Sequence, residues 1–68
     1  MNSLYSYVIG IINEEIESRN LSINELAKQV LISPLNLNRI LNGKYPPSLH
    51  VIERILVVLN LNLFITKN

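Results

Sequence analysis

Apolar positions recur along most of this chain at intervals of three and four, the period of a helix with one buried face. In residues 4–19 they are Leu4, Val8, Ile11, Ile12 and Ile16, which predicts a first helix. Gly10 lies inside it and weakens it by about 1 kcal/mol relative to alanine. A second segment opens at Ser22, three residues before Glu25, the spacing of a capping box, with Leu21 placed to staple onto Leu26. The same arrangement returns eleven residues later: Ser33 caps, Pro34 takes the first helical position, and Ile32 staples onto Leu37. Leu26, Val30, Leu37 and Ile40 are expected to face inward, with Ala27 small enough for the two helices to cross closely.

Asn42-Gly43 stops the third helix, because glycine accepts the left-handed conformation that follows a helix. After a proline-bearing loop, Ser48 caps a fourth helix expected to run to about Asn60, with Leu49, Ile52, Ile55, Leu56 and Leu59 inward. Val51 and Val58 widen its apolar arc to roughly half the circumference and imply a second contact surface. Beyond it the period changes to two: Leu59, Leu61, Leu63 and Ile65 alternate with Asn60, Asn62, Phe64 and Thr66, the rhythm of a strand. No other segment reads as a strand, so its partner is expected to be the same strand of a second copy, the alternative being a frayed apolar tail. The expected fold is all-α, four helices in residues 1–60 followed by a short C-terminal β-strand, residues 61–68, that dimerises.

At 68 residues with 49% hydrophobic and 16% charged residues, the chain holds one small domain. A core of this size supplies about 3–5 kcal/mol, and with no cysteine the added support is expected from oligomerisation. No nucleophile with a base, no paired catalytic carboxylates and no phosphate-cradling glycine loop is present, so an enzyme is not expected. No cofactor or metal is expected either, since His50 is the lone histidine and reads as a solvated helix residue. The apolar stretch 4–12 is broken by Ser6 and Gly10 and runs into Glu14 and Glu15, unlike a signal peptide. The longest unbroken apolar run, 55–59, is far short of the roughly 20 residues that span a bilayer. A cytoplasmic protein without a membrane segment is the expectation.

Net charge is +1, yet the charges are unevenly placed. Glu14, Glu15 and Glu17 cluster near the end of the first helix and Glu25 follows, whereas residues 26–52 carry Lys28, Arg39 and Lys44 and no carboxylate. That stretch is basic by three charges and covers the second and third helices, two short helices joined by a tight turn. A helix-turn-helix places its second helix in a DNA major groove.

Residues 21–49, with Glu25-Leu26-Ala27, Ser33, Ile40, the Asn42-Gly43-Lys44 stop and the Pro47-Ser48-Leu49 restart, resemble the Cro and phage-repressor, or Xre, type of helix-turn-helix domain. Together with the first and fourth helices the resemblance covers all but the final strand. It implies a lambda-repressor-like fold that binds double-stranded operator DNA, probed most naturally as a palindrome by a homodimer. A short chain ending in a strand also resembles the HipB-type antitoxin, which implies autoregulation of a toxin-antitoxin operon and a toxin protein as partner.

Four positions depart from the family pattern. Polar residues common at the start of the second helix and at the first two positions of the third are here Ile23, Pro34 and Leu35, and the usual turn glycine is Leu31. A left-handed leucine costs roughly 1–2 kcal/mol. Neither Pro34 nor Leu35 forms bidentate base contacts, though Leu35 suits a thymine methyl. Base reading therefore falls to Asn36 and Arg39, three apart and matching family positions that face the groove: asparagine pairs with adenine and arginine with guanine. Asn24, Lys28, Ser33, Asn38, Asn42 and Lys44 are the expected phosphate contacts, and Val51, Ile55, Val58, Leu61, Leu63 and Ile65 the expected dimer contacts. A competing reading keeps the scaffold but uses Leu35, Leu41 and the fourth helix to hold a partner protein.

Overall fold

The computed structural model describes residues 3–62 as four helices, α1 (Ser3–Ser18), α2 (Ile23–Val30), α3 (Pro34–Leu41) and α4 (Leu49–Val58). Each helix sends a short apolar stripe into one shared core: Val8, Ile9 and Ile12 from α1, Leu26, Ala27 and Val30 from α2, Leu37, Ile40 and Leu41 from α3, and Ile52 and Ile55 from α4 with Leu59 at its end. α2 packs on both α3 and α4, and α1 packs on α3. Leu63 and Ile65, and with them most of the expected strand, lie outside the described residues; Leu61 and Asn62 belong to neither a helix nor a strand.

The starts of the last three helices follow from their serines. The hydroxyls of Ser22, Ser33 and Ser48, each on extended backbone, accept from the amides of Glu25, Asn36 and Val51 at 3.3, 3.1 and 3.2 Å. Such caps satisfy donors that a helix N-terminus otherwise leaves to water. Only the serine half of the expected capping box forms, because the Glu25 side chain makes no return bond to the Ser22 amide. Leu21 and Ile32, the expected staple residues, are half-buried against the core.

The four helices also end alike. Asn20, Leu31, Gly43 and Asn60 have positive φ, and the next residue's amide, of Leu21, Ile32, Lys44 and Leu61, donates back to Ile16, Ala27, Arg39 and Leu56. This left-handed ending consumes the last carbonyls and reverses the chain. Asparagine and glycine tolerate it; leucine does not, and Leu31 stands at φ 68° with its side chain 77% exposed. Leu31→Gly removes the left-handed cost of about 1–2 kcal/mol and forfeits little buried surface, while the freer unfolded glycine returns about 0.4–1 kcal/mol of it. A Cβ added at Gly10 meets nothing within 4 Å, so Gly10→Ala should add about 1 kcal/mol in α1. Both substitutions are expected to raise the urea midpoint, and a lower midpoint for either contradicts the corresponding account.

Two pairs of side chains depart from the expected faces. Leu4 and Leu49, expected inward, are 51% and 71% exposed. At 3.6 residues per turn each lies about 90° from the centre of its helix's buried stripe, and each sits in a first turn. Ile9, on the stripe's other flank in α1, is buried in place of Leu4. Val51 and Val58, expected to form a second surface, are half-buried against the core, and Val57, at 73% exposure, joins Leu49 as an apolar residue that α4 turns outward.

Candidate nucleic-acid interface

α3 is pinned by three inward residues, Leu37, Ile40 and Leu41, and everything else on it is exposed. Helical geometry places Leu35, Arg39 and Asn42 at the centre of the outward arc, with Asn36 on one flank and Asn38 on the other, about 160° apart. Asn36 and Arg39 thus share a face as the sequence suggests, while Asn38 belongs to the opposite edge. Asn24 in the first turn of α2, Lys28 in its last turn, Ser33 at the cap of α3, Asn42 at its end and Lys44 beyond it are all exposed.

The cations on this side are available. Arg19, just past the end of α1, is held by Glu15 at 2.9 Å, whereas Lys28, Arg39 and Lys44 form no ion pair among the described residues. From Leu26 through Ile52 no carboxylate offsets them. Unpaired exposed cations beside neutral amides make a face that attracts an anionic backbone and still offers directional donors. Ser33 accepts the Asn36 amide, which leaves its hydroxyl proton for an outside acceptor.

Two side chains that the sequence reading passed over set the position of α2 and α3. Arg54 on α4 spans the turn: its Nε donates to the Val30 carbonyl at 3.1 Å, its Nη2 makes a shorter bond to the same oxygen, and Nη2 lies 3.5 Å from the Leu31 carbonyl. These are the carbonyls at the end of α2, one of them on the left-handed leucine itself. Asn13 on α1 donates through Nδ2 to the Leu41 carbonyl at 3.0 Å, at the end of α3. Both bonds join residues more than twenty positions apart, so no local spacing signals them. Each flanking helix therefore ties down the C-terminus of one of the two central helices.

Two expected contact residues are corrected. Leu41, weighed as exposed apolar surface, is buried in the core together with Leu37 and Ile40. Ile55, expected at a dimer interface, is fully buried within its own chain and presents no surface. Both occupy the inward stripe of their helix, where the period of three and four puts them. Leu61 is half-buried against the core, and Leu63 and Ile65 fall outside the described residues. No helix among the described residues is long and apolar enough to cross a membrane.

The helix-turn-helix family model matches residues 12–65, which take in the second part of α1 and all of α2, α3 and α4. No curated protein and no solved structure gives a significant match. With most of its length matched, this chain belongs to the Cro/C1-type, Xre-like helix-turn-helix family, whose members bind double-stranded DNA and regulate transcription.

Proposed function

We propose that this helix-turn-helix chain is a sequence-specific repressor that acts in the cytoplasm as a homodimer on a palindromic operator. The observation that carries the reading is the exposed outer face of α3, where Asn36 and Arg39 stand within a stretch, residues 26–52, that holds no carboxylate, with Lys28 and Lys44 at the ends of the motif. In this reading Asn36 and Arg39 contact base edges, while Asn24, Lys28, Ser33, Asn38, Asn42 and Lys44 hold phosphates. Few charges give a single domain modest affinity, so two copies spanning half-sites about 34 Å apart form the working unit. Val51, Val58 and Leu61 with Leu63 and Ile65 are the proposed contacts between copies. Size-exclusion chromatography of residues 1–60 tests that assignment, since a truncated chain that stays dimeric removes the C-terminal segment from it.

The finer role we propose is autoregulation as an antitoxin, with a toxin protein as partner. One observation favours protein binding as a second reading: Leu31 and Leu35 are 77% and 61% exposed beside the cations, apolar surface that a protein partner would cover. Competition titrations against upstream DNA and random duplex at two salt concentrations separate the readings. A repressor prefers its own site and loses affinity steeply with salt. Binding without sequence preference, or none, removes the repressor reading.

Point variants distinguish the kinds of contact. Arg39→Ala should relax preference at one base pair per half-site, at about 1–3 kcal/mol of discrimination. Lys44→Ala should weaken all duplexes alike and reduce the slope of log affinity against log salt by about one. A uniform loss from Arg39→Ala would reassign Arg39 to the phosphate backbone.

A further inference from the structure

Taking α3 as the helix that enters the major groove, we infer that Leu35 and Arg39 jointly read a 5-methylpyrimidine and a guanine about two base pairs from it. The inference rests on that reading and names the chemistry of the site. Leu35 lies in the first turn of α3 at the centre of its exposed arc and is 61% exposed. Its polar surroundings at the helix start are limited: Pro34 has no amide hydrogen, the Asn36 amide is taken by the Ser33 hydroxyl, and Ser33 itself stands at the cap. The N-terminal end of α3 therefore meets the groove with an isobutyl group where directional donors would otherwise be.

In the major groove the C5-methyl of a pyrimidine is the apolar feature on the base edges. Leucine over that methyl buries both. Leucine over the N4 amine of cytosine or the N6 amine of adenine strips water from a donor and returns no bond, so those bases are rejected. Arg39 follows one turn later on the same arc, and four residues at 1.5 Å rise put the two side chains about 6 Å apart along the helix. Base pairs stack at about 3.4 Å, so the guanine that Arg39 grips through O6 and N7 falls about two steps from the methylated base. The pair thus reads one apolar and one bidentate polar feature at fixed separation.

The test begins with selection of duplexes from a random library by the full-length chain. In the best duplex each thymine is replaced by deoxyuridine, which deletes only the methyl. One thymine per half-site is expected to show about a fourfold loss of affinity on that change, the effect of one buried methyl. At the same position 5-methylcytosine should bind about fourfold more tightly than cytosine. Leu35→Ala, a change at an exposed site whose fold is checked by circular dichroism, should abolish both methyl effects while the dependence on guanine remains; Arg39→Ala should do the reverse. Equal affinity for every deoxyuridine duplex, no gain from 5-methylcytosine, or a methyl effect that survives Leu35→Ala overturns the inference while specific binding stands. Selection that enriches no sequence overturns the helix-in-groove reading and this inference with it.

Discussion

Ile55→Ala is expected to leave the chain largely unfolded. Ile55 is fully buried in the shared core, to which α4, packed on α2, contributes it, Ile52 and the terminal Leu59. Truncating a buried isoleucine costs about 2–5 kcal/mol through lost transfer energy and the cavity left behind. A domain this small holds about 3–5 kcal/mol in its core, so the two magnitudes are comparable and the folded population collapses. Val57→Ala on the same helix, at an exposed position, should stay within about 0.5 kcal/mol of the parent. Urea titration followed by circular dichroism reads both. The contrast also separates core from interface: an Ile55 that served only to join two copies would change the oligomeric state and leave each copy folded. A cooperative transition at the parent midpoint for Ile55→Ala would refute its central place in the core.

Arg54→Ala should be nearly as costly and should act on binding as well. The guanidinium is the donor that closes the end of α2 over Val30 and Leu31, and a hydrogen bond from a charged donor contributes about 1.5–3 kcal/mol. In a domain of 60–100 residues each kcal/mol moves the melting temperature by roughly 4–8 °C. Since α3 begins three residues after Leu31, loosening this turn frees the pitch of the proposed reading helix, and affinity for the selected duplex should fall with stability. Arg54→Lys should recover part of the loss, because an ammonium brings the charge without the planar fork. A double-mutant cycle with Leu31→Gly is expected to show coupling of about 0.5–3 kcal/mol, the relaxed turn depending less on its clamp. A melting temperature unchanged by Arg54→Ala would mean that water serves these carbonyls equally well.

These two residues mark where reading the chain by its periodicity succeeds and where it stops. Spacing places Ile55 inward correctly, but the widened apolar arc of α4 also offers it as a dimer contact, which a fully buried side chain cannot form. Arg54 beside it carried no signal, because its partner lies 24 positions away in sequence. Leu35 and Leu41 looked equivalent as apolar residues on α3, yet they separate completely: 61% exposure against 8%. Their difference is one of angle, since Leu41 lies beside Leu37 on the inward arc and Leu35 opposite it.

The sequence by itself determined what is decided within a few residues. Serine caps, the left-handed ending at Gly43 and the three-and-four stripes follow from local hydrogen bonding and sterics, whereas Leu31 takes the same left-handed ending against its own local preference. The tertiary structure alone decided how the two central helices are held. Asn13 and Arg54 close the ends of α3 and α2 from the flanking helices. Such bonds form only after the core brings distant segments within about 3 Å, a condition that no local pattern encodes.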